Sequence, residues 1–442
     1  MTNLTSIATD PQSDTIRRSE RALDFMLTSR GDAAGEIARV LADDPGDVFA
    51  HCLRAGLIVR ADDDAARPAL AASVAAIEAA RPDTDDPARR HATAARAWLD
   101  GDQALAAERY GAIVVDRPRD VLALMVAQAL DFRLGRRLML RDRIAQVLPE
   151  WEPAMPGYAS VLAMYAFGLE ENGQYRRAEK LARRALDLDP KLAAAIHVIA
   201  HVMEMQGRGR EGLEFLAATE PAWIEGTGFS VHLAWHRALF HLDADDPGAA
   251  LAVYDAQIAN GERLDMSVLA DASALLWRLR LRSIEVGDRW RLLADRWGTH
   301  ALAGARPFYI VHAMMAYAAT GRSAAAAQAM QALRHVEPSS SALSLPEEAL
   351  ALPLCEALLA FAFRDYAACV TSLTRVRHIA HRCGGSLAQC DLIHLTFTEA
   401  ALRAHKAQLA RALVAERAAQ KPASRLNRRL QQRLQTMPAM AT

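Results

Sequence analysis

One stretch of this chain, Tyr158 to Pro190, is a complete structural unit in itself. It runs YASVLAMYAFGLEENGQYRRAEKLARRALDLDP: an apolar helix, an Asn-Gly turn, an amphipathic helix and an Asp-Pro stop. Small Ala166 and Ala178 let the two helices touch, Gly173 permits the turn, and Pro190 ends the second helix. A hairpin of this kind cannot bury its apolar face alone, so it must stack on others. With weaker copies on either side, unit starts fall near 87, 121, 159, 193 and 231, spaced by 34 or 38 residues, and later turns fall at Gly321 and at Arg364-Asp365-Tyr366.

Composition agrees with a purely helical chain. Hydrophobic residues make up 52% of the 442 positions but aromatics only 6%, because alanine and leucine supply the apolar mass. Both favour helix, and alternating runs of Val, Ile and Thr are almost absent. The 52 basic and 53 acidic residues leave a net charge of −1, so no global field draws in nucleic acid or anionic lipid. Apolar stretches are broken by Arg, Asp or Glu well before 18 residues, and the first residues lack the basic and apolar regions of a signal peptide. Five cysteines without a CxxC pair fit a reduced, cytoplasmic setting. No GxSxG, GxGxxG or Walker motif occurs, which leaves serine-hydrolase, dinucleotide and P-loop chemistry without support.

The 158–190 unit resembles a tetratricopeptide repeat, with Ala166, Gly173, Tyr175, Ala178, Ala185 and Pro190 at the matching positions. The expected fold is therefore an all-α, right-handed α-α superhelix, a tetratricopeptide-like solenoid of about eight helical hairpins. Residues 1–15 are expected to be a disordered N-terminus and 16–337 the helical array. Helical hairpins at 346–420 would cover the groove, after a linker at Pro338–Pro346, and 421–442 would form a basic tail.

Within that frame the histidines are the strongest functional signal. Of 14 in the chain, four lie in two short clusters, His197-Val-Ile-Ala-His201-Val-Met-Glu204 and His232-Leu-Ala-Trp235-His236. Side chains four apart share one helix face. In the repeat family, positions 2, 5, 9 and 12 of each first helix line the concave groove. Counted from Ala193, His197, His201 and Glu204 fall at 5, 9 and 12; counted from Val231, His232, Trp235 and His236 fall at 2, 5 and 6. The two clusters are thus expected on neighbouring helices, roughly 8–10 Å apart, facing a common hollow.

Three readings of this cluster stand. His197, His201, His232 and His236 are candidate ligands for Zn, Fe or Mn, with Glu204 completing a mixed set. The spacing lacks the intervening glutamate of HExxH metalloproteases. Without a metal, a histidine beside Glu204 is a candidate general acid or base. The third reading is structural, with the imidazoles bonding carbonyls between helices. Cys383 and Cys390 read as ordinary buried or loop thiols, and the tail arginines Arg425, Arg428, Arg429 and Arg433 as a solvated helix end.

The same segments, with LPEWEP at 148–153, GDRW at 287–290 and GGSLAQCD at 384–391, are similar to the tetratricopeptide-repeat protein 38 family over about residues 20–400. This resemblance implies a soluble helical solenoid and no settled reaction. It adds Asp391 to His197, His201, Glu204, His232 and His236 as candidate catalytic residues. It also sets Trp235, Asp271, His312 and Gln389 as candidate ligand-binding residues. Leu162, Ile196 and Ala234 stand where repeat arrays that clamp peptides carry aromatic anchors. The expected partner is a small molecule or a peptide in the groove, and self-association into a homo-oligomer stays open. A helical repeat protein that binds such a ligand and an enzyme of hydrolase or lyase type are both compatible with these residues.

Overall fold

The structure, a computed structural model, describes residues 14–225, 228–261, 264–334 and 347–436. These form 23 α-helices and no β-strand, and each helix packs chiefly on its neighbours in sequence. The linker expected at Pro338–Pro346 lies outside the described residues. So does most of the 1–15 segment, whose last two positions open the helix Asp14–Thr28. In the 421–442 tail, Arg425–Gln435 is a helix with Asn427 and Leu430 buried, and the residues after 436 are not described.

Helix starts follow local chemistry. Asp47, Asp102, Asp120, Asp246, Asp265 and Asp365 each stand just before a helix, and each side chain accepts a hydrogen bond from a backbone N–H of the first turn. An aspartate there satisfies an orphan donor and favours the positive end of the helix dipole. The hairpin seen in the sequence is present as Tyr158–Glu170, a turn with Gly173 at φ +73°, and Tyr175–Leu188. Ala178, Ala182 and Ala185 are its buried stripe. Helices begin at Pro87, Val121, Tyr158, Ala193 and Ser230, within one residue of the starts read from the repeat frame.

The chain divides into two compact units. One takes the described residues up to 199 with 225, 228 and 229; the other takes 200–224 and the described residues from 230 onward. The cut falls inside the helix Ala193–Met205, which therefore contributes to both. The first unit has a continuous apolar core around Leu53, Val59, Leu70, Trp98, Tyr110, Ile113 and Leu122. In the second unit the central element is Met266–Leu281, buried along most of its length. It packs against Ser230–Asp243, Pro307–Thr320 and Leu387–Arg403. Trp277 Nε1 donates to Thr396 Oγ1 at 3.0 Å and Arg278 to the Ala388 carbonyl at 2.7 Å, which ties this helix to the C-terminal part of its unit. No helix among the described residues is long and apolar enough to cross a membrane.

Candidate metal centre

Helices Ala193–Met205 and Ser230–Asp243 bring the imidazoles of His201, His232 and His236 together in the second unit. The His201 and His236 ring centres lie 4.5 Å apart, those of His232 and His236 4.9 Å, and those of His201 and His232 6.4 Å. His201 and His236 are fully buried, and the His232 side chain keeps 23% of its surface open. Each of these three offers a ring nitrogen within 4.8 Å of the others, and His197 lies one turn before His201 on the same helix. Its ring also meets Phe167 and Phe229, with centres 5.9 and 5.1 Å away.

Carboxylates orient two of these rings. His232 Nδ1 stands 2.7 Å from Asp271 Oδ2, and His236 Nδ1 stands 3.1 Å from Glu204 Oε2. An ionised carboxylate only accepts, so each Nδ1 carries the proton and donates it. In the neutral ring the lone pair then sits on Nε2, at the opposite edge. This carboxylate–imidazole arrangement is the usual support behind histidine metal ligands, because it fixes the tautomer and raises ligand basicity.

The surroundings drive the two rings apart in proton affinity. Burial lowers that of His232, but Asp271 and Glu204 outweigh it, and its pKa lies above the ordinary histidine value. Burial also lowers His236, and there His201, His232, Arg278 and Lys421 add to the effect, so its pKa falls well below that value.

A second layer holds the carboxylates. Gln389 Nε2 lies 3.5 Å from Asp271 Oδ1. Lys421 Nζ donates to Glu204 Oε1 at 3.3 Å and stands 3.7 Å from Asp391 Oδ2. Asp391 is gripped by Arg417 through bonds of 2.5 and 3.3 Å. Burial pushes the Asp391 carboxyl up, but the charges of Arg417 and Lys421 prevail and hold it far below the usual carboxylate range. Trp235 is fully buried, its ring stacked on His232 at 5.2 Å and 17°, with the Arg278 guanidinium 5.3 Å from its own centre.

The residues singled out from the sequence thus separate by role. His201, His232 and His236 converge, Glu204 and Asp271 stand directly behind two of them, and His197 lies one turn before His201 against Phe167 and Phe229. Gln389 reaches the group through Asp271, and Asp391 through Lys421 and Glu204. The Gly384–Gly385 turn has two consequences. Ser386 caps the helix Leu387–Arg403 in a reciprocal capping box with Gln389, and the turn still delivers Gln389 to Asp271. Gly385 is required there, since it sits at φ +87° and a Cβ would come within 2.8 Å of the Phe308 ring. His312 is buried beside Phe308, whose carbonyl accepts from its Nδ1 at 2.7 Å, and burial lowers its pKa to about 4.

Arg278, Arg417 and Lys421 were not recognised from the sequence as part of this group. Lys421 was read as the start of a basic tail, yet it is buried and meets Glu204 across 217 positions of chain. No family model matches this sequence.

Proposed function

We propose that the imidazole centre binds a divalent transition-metal ion of the Zn, Fe or Mn class and serves hydrolase- or lyase-type chemistry on a small molecule. The observation that carries this reading is the pair of carboxylate-backed imidazoles, His232–Asp271 and His236–Glu204, converging with His201. Ligand nitrogens around a tetrahedral ion bound at about 2.0–2.1 Å lie roughly 3.3 Å apart. Nitrogens already within 4.8 Å reach that spacing by small side-chain movements. A bound ion would supply Lewis acidity, and Asp271 and Glu204 would fix the imidazole tautomers behind it.

The helix pairs, on this reading, are degenerate tetratricopeptide-type repeats of a right-handed solenoid, as in the protein 38 family. The sequential packing of the hairpins and the Gly173/Tyr175/Ala178/Ala185 frame support that description. A second reading, acid–base chemistry without a metal, is favoured by one observation. Neighbouring His232 and His236 are shifted in opposite directions, as in sites that divide acid and base roles.

Elemental analysis of the purified protein and of a His197→Ala/His201→Ala variant tests the metal reading. Close to one ion per chain in the parent, and little in a folded variant, is the expected result. A metal-free parent that takes up no added Zn²⁺, Mn²⁺ or Fe²⁺ would leave the acid–base reading alone.

A further inference from the structure

Behind Glu204 the second unit contains a cavity of about 120 Å³, and its charges are incompletely matched. Five cationic and four carboxylate side chains line it, a surplus of one positive charge. Most of these are paired. Arg417 grips Asp391, Lys421 lies between Glu204 and Asp391, and Arg433 makes two bonds of 2.7 and 3.0 Å to Glu399.

Arg278 and Arg282 differ from these. Arg278 is only 6% exposed, and its bonds run to the Ala274 and Ala388 carbonyls, with Trp235 against its face. Arg282, one turn further on, bonds the Leu242 carbonyl at 2.7 Å. Neither has a carboxylate partner among the described residues. Asp391, Glu204 and Asp271 act on Arg278 only at longer range, as Asp243 and Asp245 do on Arg282, so neither guanidinium has the direct ion pair that a carboxylate, its matching acceptor, would make.

We propose that this cavity binds a small monocarboxylate, held by Arg278 and Arg282, and that it is the substrate pocket of the adjacent imidazole centre. The second half of the proposal rests on the metal reading; the first does not. The cavity's size is just under the roughly 150 Å³ of an engineered void that accepts benzene, so it suits a ligand of a few heavy atoms. Phe240 and Leu395 in the wall favour a short apolar chain behind the carboxylate. One surplus charge matches a monoanion better than a phosphate dianion. Glu204 connects the two sites, one oxygen meeting His236 and the other Lys421 on the cavity side. Arg278 makes a second link through Trp235, which stacks on His232.

Isothermal titration calorimetry on the full chain tests this, with propionate and butyrate as probes and propionamide and inorganic phosphate as comparators. Each is measured after chelator treatment and again with Zn²⁺ added. The expected result is carboxylate binding in the metal-depleted protein and none by the amide. Arg282→Gln, at a half-buried site, should weaken it about tenfold or more while Zn²⁺ affinity is retained. Equal binding of propionamide, tighter binding of phosphate than of the carboxylates, or unchanged affinity in Arg282→Gln would overturn the proposal. Carboxylate binding without any zinc uptake would support the anion pocket and remove the metal reading, so the two failures are separable.

Discussion

His91 in the first unit and His232 in the second each place a ring nitrogen against a buried aspartate, at 2.9 Å from Asp120 and 2.7 Å from Asp271. The bonds are nearly alike, but the settings differ. Asp120 also caps the helix Val121–Arg133 by accepting from Ala123 N at 2.9 Å, and His91 lies edge-on to the buried Tyr110 ring. Burial raises the Asp120 carboxyl, but His91 and the Ala123 N–H outweigh it and hold the pKa below the ordinary value. That pair joins two helices. In the second unit the same kind of pair turns its imidazole toward two others, and a second carboxylate, Glu204, backs His236. A histidine–aspartate bond is therefore no mark of a functional site; convergence of several such rings is.

The largest effect that should separate the two regions is on stability. His91→Ala leaves the Asp120 carboxylate buried without its partner and should cost about 3–5 kcal/mol in denaturant unfolding, with metal content unchanged. A loss below 1 kcal/mol would mean that the first-unit pair is not a structural tie. Asp271→Asn should act the other way round, lowering metal affinity about 10–100-fold in a competition titration while the fold survives. Equal metal affinity in this variant would detach Asp271 from the centre.

A smaller effect follows from His312. Its neutral form is favoured in the folded protein, with a pKa near 4 against an ordinary 6.5. The unfolded chain therefore takes up a proton first as pH falls, and stability declines through 6.5 and levels off below about 4. Between pH 6.5 and 5 this contributes about 1–2 kcal/mol, and a His312→Phe variant should show a correspondingly flatter pH profile. Identical slopes would assign the acid sensitivity elsewhere. The smallest change is expected at the repeat turn: Gly173→Ala forces a side chain into the left-handed region in open space, at roughly 1 kcal/mol. A neutral or stabilising result there would show that the hairpin does not need the turn.

Much of the helical order was legible because hairpin signals are local. Gly173, Ala178 and Pro190 all act within one hairpin, and the helix starts at Pro87, Val121 and Ala193 follow from the same frame. The imidazole pairs were legible for a similar reason, as four-residue spacing on a helix fixes a face. The support around them was not. Asp271 meets His232 across 39 positions, Gln389 meets Asp271 across 118 and Lys421 meets Glu204 across 217. No local pattern specifies such pairings, because charge alone does not tell a buried lysine from a solvated tail. Trp235 shows the limit of counting repeat positions. Its register suggested a wall open to the groove, whereas the side chain is fully enclosed between His232 and Arg278.

The central claim is that convergence, and not the isolated bond, makes a metal centre. Titrating the full chain with Co²⁺ and following its visible d–d absorption tests this directly, since intensity and position report nitrogen ligands in a low-coordinate site. The parent and the His91→Ala variant should both saturate at one ion per chain with a strong visible band, and a His201→Ala/His236→Ala variant should show none. Absence of a saturable band in the parent, or an undiminished band in the double variant, would contradict the account.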